Sequence, residues 1–319
     1  MFTSFRTEHT EGFIEYRVED LTGLRTRICP ERLKRGIGGV YIPTYKDEDC
    51  PFCPGLIEEV TPVFPDGKRI HIGESITFPN LYPFAAYHVV TSITHEHSVP
   101  TFTHKQIADA LSGQVTALKK QSEYVSINWN YLPSAGASLP HPHLQGLCDH
   151  QPDTLPSRYL LAGEQYHKTH GRGYFEDVRK DAERSGRDLP GTILFWYAHP
   201  VPIGEREIRC LLPLTTVAEF SDVLEDFAAD LISLLGFYRD LGTSAFNMAI
   251  FFGQNKDRNT FSAFCSLISR INPNPLSTSD TAFMERLHLE PVILTLPEEL
   301  ASTWREYAQN MPNVPTIIN

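Results

Sequence analysis

The sequence predicts an α+β fold made of two similar halves, because one pattern occurs twice along its 319 residues. Thr103-His104-Lys105-Gln106 has the form of a helix capping box, and Thr216-Val217-Ala218-Glu219 has the same form in the second half. Apolar residues at helical spacing follow each box. A strand pattern then follows each helix, at 125–128 and at 246–252. This repetition indicates an internal duplication.

The apolar positions of the two predicted helices support this reading. In the first half they are Ile107, Leu111, Val115 and Leu118. In the second half they are Phe220, Val223, Leu224, Phe227, Leu231, Leu234, Leu235 and Tyr238. A polar, arginine-rich stretch at 163–187 is expected to join the halves, so we place one half at 1–165 and the other at 166–319.

The most informative motif is His141-Pro142-His143-Leu144-Gln145. In an extended segment alternate side chains share a face, so His141, His143 and Gln145 should point the same way. A neutral imidazole can bind a metal or attack phosphorus, and a glutamine amide can donate to phosphate oxygens. The alternative is an ordinary strand or an incidental metal site.

Small residues precede this motif and suggest close approach of the backbone to an anion. Asn130 is followed by Ser134-Ala135-Gly136-Ala137-Ser138. Backbone amides of Gly136, Ala137 and Ser138 are therefore expected to contact a phosphate group.

Cys50 and Cys53 form a CxxC pair whose spacing suits one tetrahedral zinc ion. Two more ligands are needed, and His141 is one candidate while His97 or His95 is the other. A redox CxxC is the competing interpretation, but such a motif opens a helix, which Pro51, Pro54 and Gly55 oppose.

Composition limits the possible classes of protein. The net charge of −11 argues against nonspecific nucleic-acid binding, because a polyanion would be repelled. Six cysteines are too few for a disulfide scaffold and fit a reducing cytoplasm. No segment approaches the roughly 20 apolar residues of a membrane span. We therefore expect a cytoplasmic protein.

Several motifs, in order, resemble the galactose-1-phosphate uridylyltransferase family of the histidine triad superfamily. They are residues 27–35, the CPFCPG segment, residues 78–84, Glu96-His97-Ser98 and residues 130–145. By this resemblance Arg32 and Arg35 help to hold the nucleotide, and Asn80 lies by the base and ribose. Without the downstream motifs, the basic segment would be read as a solvated loop.

The same resemblance assigns the remaining site residues and the chemistry. Cys50, Cys53, His97 and His141 would bind a structural zinc ion, His143 would be the nucleophile, and Gln145 would contact the phosphate. Attack of His143 on the α-phosphorus of a nucleotide sugar would give a nucleotidyl-histidine, and a second phosphate would then take the nucleotide in a ping-pong reaction. Glutamine cannot relay a proton, so the intermediate should survive until an acceptor arrives.

The resemblance also implies mainly antiparallel strands, one helix per half packed on a sheet continuous between the halves, and a homodimer. The second half is expected to be a degenerate copy, because Ser262 and Phe264 stand where a second HxH pair would be. Relatives with a second metal use histidines there and near Phe252, so we expect no iron-type site.

The sequence does not decide between several possible substrates. The family's sugar contacts resemble residues 281–288 only loosely, with Ala282, Leu287 and His288 at positions where the family has other residues. A sugar phosphate or inorganic phosphate is equally permitted as acceptor, and uridine cannot be told from adenosine. Besides nucleotidyl transfer to a sugar 1-phosphate, we keep two alternatives: a phosphorylase or hydrolase of ADP-glucose or dinucleoside polyphosphates, and a non-catalytic nucleotide-binding protein.

Overall fold

Two β-sheets form the framework of the computed structural model, which describes residues 1–9, 12–31, 50–271 and 280–310. The small sheet has the order β1-β2-β3-β13 and the large sheet has the order β4-β5-β6-β8-β7-β11-β12-β10-β9. All pairs are antiparallel except β3 with β13. The strands, in chain order, are β1 (Phe2–His9), β2 (Gly12–Glu19), β3 (Arg25–Ile28), β4 (Ile70–Ile72), β5 (Ser75–Pro79), β6 (Tyr87–Ser92), β7 (Tyr124–Tyr131), β8 (His143–Asp149), β9 (Phe195–Ala198), β10 (Ile208–Leu211), β11 (Phe246–Phe252), β12 (Phe264–Ser269) and β13 (Val292–Ile293).

The helices begin where the two capping boxes place them, with one difference. Thr103 and Gln106 cap each other reciprocally at the start of the first predicted helix. Thr216 and Glu219 do the same, but they open a 3₁₀ stretch, and the second predicted helix starts only after Val223 leaves helical geometry at φ −122° and ψ 6°. The α-helices are α1 (Ile57–Val60), α2 (His104–Leu118), α3 (Thr154–His170), α4 (Phe175–Arg184), α5 (Leu224–Asp240) and α6 (Pro297–Gln309). In the described ranges, no helix combines the length and the apolar character that crossing a membrane requires.

The large sheet has a pseudo-twofold centre between β7 and β11. The first half supplies β5, β6, α2, β7 and β8, and the second half supplies β9, β10, α5, β11 and β12 in the same chain order, while β4 is an additional edge strand of the first half. Asn128 pairs with Gln145 on one side of the centre, and Ala249 pairs with Ser266 on the other, while Asn128 and Ala249 pair with each other. This register makes Phe264 the counterpart of His143, which confirms the predicted duplication with a degenerate second half.

Helices α2 and α5 pack together on one face of the large sheet and leave the other face for the site. Leu144 and Cys148 of β8 are buried in the core on the helix side, and Gly146 lies between them. A Cβ atom at Gly146 would lie 2.1 Å from the side-chain oxygen of Gln114 on α2, so the close fit requires glycine. The two-residue alternation then places His143 and Gln145 on the opposite face.

Helices α3 and α4 occupy most of the stretch expected to join the halves. The expected boundary between residues 165 and 166 lies inside α3. Tyr159 and Leu160 of α3 pack with Phe261 and Phe264 of the second half, so this helix covers the face of the sheet that corresponds to the His143 face of the first half.

The small sheet, which the sequence did not predict, is attached to the second half by buried charged groups. Glu19 of β2 accepts hydrogen bonds from Tyr159 Oη at 2.8 Å and from His199 Nε2 at 3.1 Å. Arg209 donates to Glu207 at 2.6 Å, and both are almost fully buried. Burial alone would raise the pKa of Glu19, but the hydrogen bond to His199 and the charges of His199 and Arg209 outweigh it and lower the pKa to about 2.

We predict that Glu19→Gln lowers the free energy of unfolding at neutral pH by on the order of 3 kcal/mol, because a shift from 4.5 to about 2 favours the ionised folded state by that amount. The stabilisation is fully present above the unfolded pKa of 4.5 and is lost as the pH falls toward about 2. Chemical denaturation of parent and variant between pH 7 and pH 2 should therefore show a gap that closes on acidification. Glu8→Gln, at an exposed position of β1, is the control. A gap independent of pH would contradict this account.

Candidate active site and metal centre

Four predicted ligands come together beside the start of β8. The ligand atoms of Cys50, Cys53, His97 and His141 all lie within 4.8 Å of one another. His141 Nδ1 lies 3.7 Å from Cys50 Sγ and 3.6 Å from Cys53 Sγ. Cys53 Sγ lies 3.4 Å from His97 Nδ1. Sulfur and nitrogen ligands of one tetrahedral, zinc-sized ion are about 3.5 Å apart, so this cluster could hold such a metal ion.

Local backbone structure explains why these side chains converge. The amide of Cys53 donates to the carbonyl of Cys50 at 3.2 Å, and the amide of Ile57 donates to Cys53, so the CxxC segment is a tight turn before α1. His141 Nε2 lies 2.8 Å from the carbonyl of Thr94, which can only accept. That bond keeps the proton on Nε2 and leaves Nδ1 as the ligand atom.

The structure also separates the alternatives that the sequence left open around this cluster. His97 is buried and contributes to the cluster, whereas His95 is exposed and does not. The CxxC turn does not open a helix, since α1 begins only at Ile57. Two cysteines gathered with two histidines favour metal binding over a redox pair.

His143 is held as a neutral imidazole with one defined tautomer. Its Nδ1 lies 2.8 Å from the carbonyl oxygen of His141, so Nδ1 carries the proton and Nε2 keeps its lone pair. Burial lowers the pKa of His143, and the hydrogen bond to His141 opposes that shift only in part. The side chain therefore offers a nucleophilic nitrogen at neutral pH.

Phe52, between the two cysteines, packs against both histidines of the HPH motif. Its ring centroid lies 5.4 Å from that of His143 and 6.1 Å from that of His141, with the rings nearly perpendicular. Phe78 of β5 supports Phe52 from behind at 5.4 Å. The Cys–His cluster thus also places Phe52 as an apolar wall against the His143 ring.

Gln145 contacts a histidine that the sequence interpretation missed. Its Oε1 lies 3.1 Å from Nε2 of His88, which is buried on β6. Asn80, at the end of β5, places its side-chain nitrogen 3.2 Å from Nδ1 of the same ring. His88 stands in an ordinary strand pattern some 50 residues before the HPHLQ motif, so only the pairing of β6 with β8 reveals this contact.

Asn130 also contacts a residue that the sequence did not single out. Asn247 on β11 pairs with Asn130 on β7, and its Nδ2 donates to Asn130 Oδ1 at 2.6 Å and to the carbonyl of Ala135 at 2.8 Å. Arg270 Nη1 in turn donates to Asn247 Oδ1 at 2.7 Å. The second half therefore reaches the predicted site through Asn247.

The small-residue loop before the HPHLQ motif is a tight turn. The amide of Gly136 donates to Pro133 at 2.9 Å and that of Ala137 donates to Leu132 at 3.3 Å. Gly136 has φ +87°, which favours glycine, and Ser138 is exposed. Arg32 and Arg35, predicted to hold the nucleotide, lie outside the described residues. Contact of Gly136, Ala137 and Ser138 with phosphate stays a prediction.

Comparison with known proteins places this geometry in a known fold. The ADP-glucose phosphorylase of Arabidopsis thaliana with bound ADP-glucose superposes with a TM-score of 0.72 at 18% identity, covering 92% of this chain and 99% of that one. A structure of uridylyltransferase superposes with a TM-score of 0.69 at 17% identity, covering 93% and 99%. This chain has the uridylyltransferase fold. The similarity confirms the predicted α+β class and, at the level of the fold, the resemblance on which the site assignments depend.

Two further proteins match this chain over more than 90% of its length. An uncharacterized protein of Archaeoglobus fulgidus is 26% identical over 308 residues, which is 93% of each chain. A galactose-1-phosphate uridylyltransferase-like protein of Arabidopsis thaliana superposes with a TM-score of 0.70 at 18% identity, covering 91% of this chain and 98% of that one. No family model matches the sequence.

We predict that Cys50→Ser loses most of its bound metal and unfolds at a lower temperature, because a hydroxyl group is a much weaker ligand than a thiolate. Metal content by elemental analysis and the melting temperature are the measurements. Cys148→Ala, which removes a buried thiol on the helix side of β8, is the matched control and should keep the metal. Equal metal content in Cys50→Ser and the parent would exclude Cys50 as a ligand.

Proposed function

We propose that this protein is a nucleotidyltransferase that moves a nucleoside monophosphate from a nucleotide sugar to a sugar 1-phosphate-like acceptor. In the first step, Nε2 of His143 attacks the α-phosphorus, the bond from phosphorus to the bridging oxygen breaks, and the sugar phosphate leaves. In the second step, an oxygen of the acceptor phosphate attacks the same phosphorus and the bond to nitrogen breaks. Two displacements give a ping-pong reaction through a nucleotidyl-His143 intermediate.

The observation that carries this proposal is the state and place of His143. Its Nδ1 proton is bound to the carbonyl of His141, so Nε2 is unprotonated. Gln145 lies two residues after His143 on the same face of β8. The register between β7 and β8, continued by one residue, puts Asn130 opposite His143. A nucleophile beside two carboxamides suits a reacting phosphate, because catalysis of phosphoryl transfer depends on positioning and on stabilising charge.

We propose zinc as the ion of the metal cluster, with a structural role. All four candidate positions are taken by protein ligands, Cys50, Cys53, His97 and His141, as in closed structural sites. The ion would hold the CxxC turn against the start of β8 and thereby keep Phe52 against His143.

A phosphorylase reaction is the second candidate, because it needs only inorganic phosphate in place of the sugar phosphate as acceptor. The similarity to an ADP-glucose phosphorylase over 92% of the chain favours it as the alternative. The nucleophile and the first step are the same in both reactions. Arg32, Arg35 and Asn80 are proposed to hold the nucleotide in either case, and a homodimer is proposed to complete the acceptor pocket.

The test is intact-protein mass spectrometry after incubation with UDP-glucose or ADP-glucose and no acceptor. We expect a uridylyl or adenylyl adduct on the parent protein and none on His143→Ala, because no other group takes the place of Nε2. His150→Ala, which removes an exposed histidine on the same segment of chain, should form the adduct like the parent.

Chasing the isolated adduct then separates the two candidates. Glucose 1-phosphate is the leaving group of the first step and should release the adduct from either enzyme, so it serves as the positive control. Release by a second sugar 1-phosphate, such as galactose 1-phosphate, but not by inorganic phosphate supports the transferase, and release by inorganic phosphate but not by the second sugar 1-phosphate supports the phosphorylase. Rapid loss of the adduct in water would contradict the role given to Gln145. An adduct of equal yield on His143→Ala would overturn the nucleophile assignment.

A further inference from the structure

The chemical polarity of the site depends on which way its two carboxamides point. Gln145 and Asn130 can each present either an acceptor oxygen or a donor NH₂ group to a ligand, and the two ends are nearly the same size. An anionic phosphate requires the donors. The hydrogen bonds that each amide makes to side chains of neighbouring strands determine which end faces a ligand.

For Gln145, the tautomer of His88 determines which side-chain atom faces His88 and which is left for a ligand. The backbone amide of Phe84, which can only donate, lies 3.5 Å from His88 Nδ1, so Nδ1 is an acceptor. Asn80 Nδ2 lies 3.2 Å from Nδ1 and 3.1 Å from Nε2, and as a donor it bonds to the nitrogen without a proton. Burial lowers the pKa of His88, so the ring is neutral and its proton is on Nε2. Nε2 then donates to the Gln145 atom 3.1 Å away, which must be the oxygen.

For Asn130, the orientation of Asn247 determines which side-chain atom is left for a ligand. Hydrogen bonds fix both the oxygen and the nitrogen of the Asn247 amide. Arg270 can only donate, so the Asn247 atom 2.7 Å from it is the oxygen. The carbonyl of Ala135 can only accept, so the atom 2.8 Å from it is the Asn247 nitrogen. This nitrogen also donates to Asn130 at 2.6 Å, which must use its oxygen there.

The side-chain oxygens of Gln145 and Asn130 thus already accept hydrogen bonds from His88 and Asn247, respectively. Among the residues that the structure describes, the NH₂ groups of Gln145 and Asn130 make no hydrogen bond, and both side chains are partly exposed. They lie on the face of the sheet that carries His143, on adjacent strands. The NH₂ groups of Gln145 and Asn130 are therefore available there as donors to an anionic group.

We propose that His88 and Asn247 are positioning residues, which occupy the carbonyl oxygens of Gln145 and Asn130 so that both amides donate to the phosphate attacked by His143. The inference rests on the proposed function and adds two residues to it. It also gives the second half a part in the reaction, because Asn247 and Arg270 both belong to that half.

The first test is a double-mutant cycle on His88 and Gln145. The rate of adduct formation with UDP-glucose and ADP-glucose is measured for His88→Phe, Gln145→Ala and the double variant. We expect His88→Phe to slow the parent by about 10–100-fold, as for other residues that orient a reacting group. It should change Gln145→Ala by no more than about twofold. His88→Gln, which can still donate to Oε1, should restore part of the rate.

A structural role of His88 would slow both backgrounds equally, and that result would overturn the proposal for this residue. So would an undiminished rate in His88→Phe. Each variant is first checked for parental metal content and far-ultraviolet circular dichroism, and if His88→Phe fails this check, His88→Gln carries the cycle. For that variant we expect a slower rate than in the parent and an unchanged rate in the Gln145→Ala background.

The second test uses Asn247→Asp, which keeps the size and the bond from Arg270 but replaces the donor by an acceptor. Asn130 then has to turn its NH₂ group toward the introduced carboxylate and present its oxygen to the substrate phosphate. We expect adduct formation to slow by about 10-fold or more, and the effect to vanish in the Asn130→Ala background. An effect of the same size in that background would come from the added charge and would overturn the role of Asn247.

Failure of the proposed function is distinguishable from failure of this inference. If the parent forms no adduct with either nucleotide sugar, the proposed donors are wrong, but the amide orientation can still be tested without substrate. Nitrogen-15 NMR of histidine-labelled protein should show His88 protonated on Nε2 and not on Nδ1. The opposite tautomer would overturn the orientation of Gln145 whatever the reaction.

Discussion

The candidate site depends on His141, which connects the Cys–His cluster to His143, the proposed nucleophile. Its ring faces Cys50 and Cys53, while its backbone carbonyl accepts the Nδ1 proton of His143. The position of His141 therefore sets the tautomer and the place of the His143 imidazole two residues later. Because Phe52 lies between the two cysteines and packs on His143, displacement of the CxxC turn would disturb the His143 ring from a second side.

The two halves share one architecture but carry different residues on the face of the sheet away from the helices. In the first half the face of the sheet away from the helices carries His143 and Gln145. In the second half the equivalent face is closed by α3 and by buried charged groups around Arg209, and Phe264 stands at the place of His143. Removing one partner of such a group leaves a buried charge uncompensated, so this face attaches the small sheet through partners that depend on one another.

Local signals in the sequence predicted much of this architecture and the four residues of the Cys–His cluster. The two capping boxes marked the helices, and the spacing of the cysteines with His97 and His141 marked the cluster. The small sheet was missed because β13 has only two residues and pairs with β3 across some 260 positions of sequence. His88 and Asn247 were missed for the same reason, since each matters through a cross-strand neighbour and the register between distant strands is not written in local patterns.

The pairing of β7 with β11 has a consequence for biosynthesis. Tyr131 ends β7 and Phe246 begins β11, so about 115 residues separate two strands that lie side by side at the centre of the sheet. At ribosomal speeds of roughly 5–20 residues per second, one edge of β7 waits about 6–23 s for its partner. The nascent first half thus exposes an eight-residue strand edge, and this interval is when wrong strand pairing or capture by a chaperone competes with correct assembly.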